Sequence, residues 1–65
     1  MTPFPVVLEL FESHGWRLQR IVGPLRVFKK RGGSPDEPYF VKVYEGGQVS
    51  EEAFERARDY VVKGS

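Results

Sequence analysis

A two-layer α+β sandwich of order α-β-β-β-α, with a three-stranded antiparallel sheet and both helices on one face, is the fold class this 65-residue sequence predicts. Three observations predict it. One segment near each end repeats its apolar residues at helical spacing. Three β-prone segments lie between them, separated by glycine and proline. The two apolar helix stripes need a common surface to cover, and the apolar side of a sheet supplies it. A chain this short supports one small core, burying roughly 60% of its unfolded surface. Residues 1–65 are therefore expected to form a single domain, without repeat or linker.

The elements follow in order. Thr2 before Pro3 signals a helix start, because proline lacks an N–H that the first turn leaves unpaired anyway. Val7, Leu10 and Phe11, with Phe4 one turn earlier, form one apolar face over about residues 3–13. Gly15 ends that helix. Residues 16–22 and 25–31 are predicted strands around a two-residue Gly23-Pro24 turn, which makes Val22 and Leu25 neighbours. An unbroken register then puts Trp16, Leu18, Arg20 and Val22 on one face with Leu25, Val27, Lys29 and Arg31. Arg17, Gln19, Ile21, Arg26, Phe28 and Lys30 fall on the other. Residues 32–38 read as a loop. Tyr39 to Tyr44 is the third strand, with Tyr39, Val41 and Val43 opposite Phe40, Lys42 and Tyr44. After Gly46-Gly47, Ser50 is placed to cap a second helix. Its acids Glu51 and Glu52 sit at the positive end, and Ala53, Phe54, Ala57, Tyr60 and Val61 form its apolar face.

Composition excludes several classes of function. There is no cysteine, so no disulfide scaffold and no cysteine-based zinc or redox site is possible. A lone His14 argues against a multi-histidine metal centre, so no metal is expected. The glycines of Gly32-Gly33-Ser34 and Gly46-Gly47 match no phosphate-loop spacing, and no cofactor is expected. The longest apolar stretch, Phe4 to Leu8, is broken by Pro5 and falls far short of the ~20 residues of a membrane span. No basic segment precedes it as a secretory signal requires. A cytoplasmic chain without membrane contact is the expectation. Catalytic groupings are thin. Ser13 and His14 are adjacent, and neighbours on a helix do not face each other. Glu51, Glu52 and Glu55 cluster where acids commonly favour a helix start.

Charge is informative only when divided. Ten Lys and Arg stand against nine Asp and Glu, a net +1. Residues 16–31 hold Arg17, Arg20, Arg26, Lys29, Lys30 and Arg31 with no acid, so this hairpin carries +6 and the rest of the chain −5. The unbroken register gathers Arg17, Arg26, Lys30 and Lys42 on the outer sheet face, interleaved with Phe28, Phe40 and Tyr44. Cations beside flat rings suit nucleic acid, the cations for phosphates and the rings for stacking bases. The expected nucleic-acid contacts are Arg17, Arg26, Phe28, Lys30 and Lys42. The same rings, Phe28, Phe40 and Tyr44, equally suit a homodimer or a partner protein. In a third alternative the Arg and Lys stems shield them.

The stretch His14-Gly15-Trp16-Arg17-Leu18-Gln19-Arg20-Ile21-Val22-Gly23-Pro24-Leu25-Arg26-Val27-Phe28 resembles the HicA family. These are small bacterial RNA-cleaving toxins with a double-stranded-RNA-binding-like fold, paired with an antitoxin. The family pattern runs from a helix into Gly-aromatic-x-Leu-x-Arg, then Gly-Ser-His, then an apolar-aromatic strand. Gly15, Trp16, Leu18, Arg20, Gly23, Val27 and Phe28 fit it, and the resemblance covers about residues 6–43. The second helix is more acidic than the family pattern. The resemblance implies RNA as ligand and an antitoxin-like protein as partner.

One departure bears on chemistry. Where the family has Ser-His, this chain has Pro24-Leu25. The histidine is the family's catalytic group, and leucine has no ionisable atom. General acid–base help is worth about 10² to 10⁴ in rate. His14 lies at the far end of the Trp16–Val22 strand from Leu25, about 20 Å away at ~3.3 Å per residue. A catalytically silent HicA-like domain that binds RNA is the expectation, with a protein-interaction module as the alternative.

Overall fold

A computed structural model describes residues 1–32 and 38–63. The elements are β1 (Thr2–Pro3), α1 (Phe4–Ser13), β2 (Trp16–Val22), β3 (Leu25–Lys30), β4 (Tyr39–Lys42), β5 (Gln48–Val49) and α2 (Glu51–Lys63). Strands β2, β3 and β4 form an antiparallel sheet in that order. Val7 and Phe11 of α1 share one buried cluster with Ala57 and Val61 of α2 and with Trp16, Phe28 and Val41 of the sheet. Both helices therefore cover the same sheet face, as the α+β reading expects. Of the predicted 32–38 loop, residues 33–37 lie outside the described residues.

The helix ends obey local chemistry, with one correction. Pro3, not Thr2, occupies the cap position of α1, and no side chain caps it. Thr2 is taken up in β1, where it pairs with Val49 while Pro3 pairs with Gln48. The Phe4 N–H donates instead to the Gly47 carbonyl at 2.8 Å. The helix start is thus satisfied by the distant turn that leads into β5, which no local signal announces. At the other end Gly15 adopts φ 86° and turns the chain out of the helix. In α2 the Ala53 N–H donates to Ser50 Oγ at 3.2 Å, the predicted cap. Glu52 and Arg56, one turn apart, pair at 2.6 Å.

The hairpin starts as predicted and then departs. Gly23 at φ 57° permits the tight turn, and Val22 pairs with Leu25, Ile21 with Arg26 and Arg20 with Val27. Beyond Arg20 the ladder slips: Leu18 pairs with Phe28, Arg17 with Lys29 and Trp16 with Lys30. Gln19 is the extra residue of a β-bulge. Because side chains alternate with period two, a slip of one residue exchanges the faces on one side of it. Phe28 therefore points to the helices with Trp16 and Leu18, and Lys29 points away with Arg17.

The physical reason is the core. Trp16, Leu18 and Phe28 cannot all face the helices in an unbroken register set by a two-residue turn. That register would expose Phe28 and bring Lys29 inward. Burying one large apolar side chain is worth about 1.5–3 kcal/mol, so absorbing one residue at Gln19 favours the bulged pairing. The ring of Phe28 is fully buried, stacked on Phe11 and 6.1 Å from Phe4. Trp16 meets Phe11 edge-on at 5.7 Å.

The third strand is shorter than predicted. β4 ends at Lys42, the Val43 N–H donates to the Pro24 carbonyl at 2.8 Å, and Tyr44 forms a bridge to Gln48. Its faces are as expected, with Tyr39 and Val41 paired beside Phe28 and Arg26, and Phe40 and Lys42 beside Val27 and Leu25.

Candidate functional site

The outer sheet face is built from three strands that carry six cations and no carboxylate. Pairing decides which of the six reach it. Arg17 and Lys29 are direct partners on that face, Arg20 lies beside Val27, and Lys42 lies beside Leu25. On a regular strand Arg17 and Arg20, three residues apart, would face opposite ways. The bulge between them brings both outward. None of Arg17, Arg20, Lys29 or Lys42 makes an ion pair among the described residues. The ion pairs there join the Met1 amino group to Glu51 and Arg56 to Glu52, all outside the sheet.

Apolar surface lies among these cations. Phe40 is 56% exposed and Tyr44 45%, with the Lys42 ammonium 5.1 Å from the centre of the Tyr44 ring. Val27 is only 2% exposed yet belongs to no part of the core cluster. Its cross-strand neighbours Arg20 and Phe40 shelter it from the other side of the sheet. Leu25 stands between Val22 and Lys42.

The expected site residues thus divide. Arg17, Lys42, Phe40 and Tyr44 are exposed, and the strand pairings bring Arg17, Phe40 and Lys42 to the outer face. Arg26, expected there, lies on the helix side, with its guanidinium 5.4 Å from the centre of the Phe4 ring and Nη1 donating to the Gly23 carbonyl at 3.2 Å. Lys30 also turns to the helix side, paired opposite Trp16. Phe28 is in the core and can stack on no ligand. Arg20 and Lys29 take their places on the outer face. One sequence signal could have found them: three large apolar residues, Trp16, Leu18 and Phe28, whose joint burial requires a bulge between turn and strand end.

At the end of the hairpin away from its turn, Arg17, Gln19, Lys29, Lys30, Arg31 and Gly32 line a depression of about 390 Å³. A second depression of about 320 Å³ lies between the helices, lined by Val6, Glu9, Leu10, Ser13 and Phe54.

Ser13 and His14 do meet, at 3.1 Å between Oγ and Nδ1, because His14 at φ −110° has already left the helix. Both groups also reach the Leu10 carbonyl, Ser13 Oγ at 2.8 Å and His14 Nδ1 at 2.9 Å. A carbonyl oxygen can only accept, so Nδ1 carries the proton and is no base for Ser13. The pair satisfies a terminal helix carbonyl. Burial pushes the Tyr39 hydroxyl above its ordinary pKa, against the opposing charge of Arg56, and its ring stacks on Tyr60 at 4.7 Å. Among the described residues no group of three or more His, Asp or Glu side chains could hold a metal. Among the described residues no helix is long and apolar enough to cross a membrane. Comparison of the chain with protein-family models, with curated proteins and with solved structures returns no match.

Proposed function

We propose that this chain is a catalytically silent, HicA-like RNA-binding domain that takes single-stranded RNA on the outer face of its sheet. Arg17, Arg20, Lys29 and Lys42 neutralise phosphates, and Phe40 and Tyr44 offer rings for base stacking. The observation that carries this reading is one sheet face with four cations, two neighbouring exposed rings and no carboxylate on its strands. Single strands are favoured over duplex because a ring can stack only on an unpaired, splayed base. Leu25 supplies no proton on this face, so the bound strand is held without being cut.

The test is an anisotropy titration of a labelled single-stranded RNA at several salt concentrations. Four neutralised phosphates correspond to a slope of log affinity against log salt of about −3, at ~0.7 per phosphate. Binding that ignores salt sinks the proposal. Cleavage of the RNA by purified protein, lost on His14→Ala, sinks the silent part of it.

The exposure of Phe40, Tyr44 and Val22 favours a second reading, in which the face docks a second copy or an acidic, antitoxin-like protein. That reading expects a mass that rises with concentration, or capture of an acidic partner, with Phe40→Asp abolishing either.

A further inference from the structure

Arg20, Val27 and Phe40 form one row across the outer face, one residue from each strand of the sheet. Val27 is the floor of that row, nearly sealed from water although it lies outside the core cluster. The two side chains that flank it are unengaged. Arg26, Lys42 and Arg58 each rest on a ring, that of Phe4, Tyr44 and Phe54 respectively. The Arg20 guanidinium makes no ring contact, hydrogen bond or ion pair among the described residues. Phe40 is largely exposed and stacks on no other ring among them.

The geometry points to a slot for one unpaired base, walled by the Phe40 ring on one side and the Arg20 guanidinium on the other, with Val27 beneath. This inference rests on the RNA reading and deepens it, because it gives Arg20 a base to cover as well as a charge to offer. Spacing supports a single base. Strands β2 and β4 flank β3 and so stand about 9.6 Å apart, at ~4.8 Å per strand. A base stacked on both walls takes two steps of ~3.4 Å, about 7 Å in all, whereas two bases would take ~10 Å. A small lean of either side chain takes up the remainder.

Chemistry supports both walls. Splayed bases of single-stranded RNA stack on aromatic rings and on arginine planes alike. In the free chain Arg20 and Phe40 shelter Val27, and swinging the Arg20 head aside breaks no contact that it makes. The base then takes its place over the valine, which stays dry. A purine, with the larger face, covers more of both walls than a pyrimidine, so stacking strength favours it.

Three labelled oligomers of equal length test this, each a ribose-phosphate strand without bases except at its centre, which carries adenine, uracil or no base. The adenine strand is expected to bind about tenfold more tightly than the baseless one, the scale of one stacked base, with uracil between them. Arg20→Lys keeps the charge and removes the plane, and Phe40→Leu keeps an apolar cover and removes the ring. Both positions are exposed, and each variant is expected to cut the adenine advantage to about threefold or less, Arg20→Lys with the salt slope unchanged. Equal affinity for the three strands overturns the slot and leaves the RNA reading standing, as does failure of the adenine strand where an ordinary oligouridylate binds. Failure of the oligouridylate as well overturns both. An adenine advantage that survives either substitution puts the base elsewhere and overturns the assignment.

Discussion

Phe28 lies on Phe11 with ring centroids 4.1 Å apart and planes 16° from parallel, and both side chains are fully buried. This contact joins the central strand to the first helix. Phe28→Ala is expected to lose ~3–5 kcal/mol. That is comparable with the whole stability of a small domain, at ~0.05–0.15 kcal/mol per residue. The variant should be largely unfolded in a urea titration. Phe40→Ala, on the opposite side of the same sheet, should lower the unfolding free energy by less than ~1 kcal/mol. Equal losses in the two variants would contradict the bulged register.

Deleting Gln19 gives a sharper check on that register. The deletion joins Leu18 to Arg20 and preserves every pairing on both sides of the bulge. The chain should fold with its core intact, within ~1 kcal/mol of the parent. Deleting Leu18 instead puts Gln19 opposite Phe28 and loses a half-buried apolar side chain, at about 2 kcal/mol or more. Thermal denaturation of the two deletions should separate them clearly.

Arg20 and Arg26 exchange sides relative to an unbroken hairpin, and binding reports which side each occupies. Arg20→Glu places a carboxylate on the outer face and is expected to weaken RNA binding about tenfold or more, for any base sequence. Arg26→Glu, next to Phe4 on the helix side, should leave affinity within about threefold and lower stability through the lost cation–ring contact. The opposite ranking in an anisotropy assay would restore the unbroken register.

Alkaline pH should weaken the fold through Tyr39. Burial raises the pKa of its hydroxyl in the folded state above the unfolded value, ordinarily 10.0. The folded chain therefore holds this proton longer than the unfolded chain does. Its contribution is complete below the unfolded pKa and is lost as pH rises through the folded one. Tyr39→Phe removes that dependence, so parent and variant stabilities should converge or cross as pH climbs above ~10. Urea midpoints measured across that range would show it.

How much of the site was legible varies by element, and the reason is physical. The turn at Gly23-Pro24, the cap at Ser50 and the helix end at Gly15 are local. Each depends on backbone freedom or one short hydrogen bond, and the residues concerned lie within a few positions of each other. Phe40 and Lys42 were legible for the same reason, because a short strand with one buried face alternates without interruption. Arg20, Lys29, Arg26 and Lys30 were not, because their faces depend on a pairing between strands.

The sequence by itself determined the order of the two helices and the three strands of the main sheet, the hairpin turn, the acid-free basic segment and the absence of histidine at position 25; the short strands β1 and β5 it did not announce. Only the tertiary structure decided which of the six strand cations share a face. It also decided that Thr2-Pro3 pairs with Gln48-Val49. A turn sets the register from one end of the hairpin, and the need to bury Phe28 beside Trp16 sets it from the other. The two disagree by one residue, and Gln19 absorbs the difference. With a side-chain period of two, that single residue moves Phe28, Arg26 and Lys30 to the helix side and leaves Arg17, Arg20, Lys29 and Lys42 facing outward.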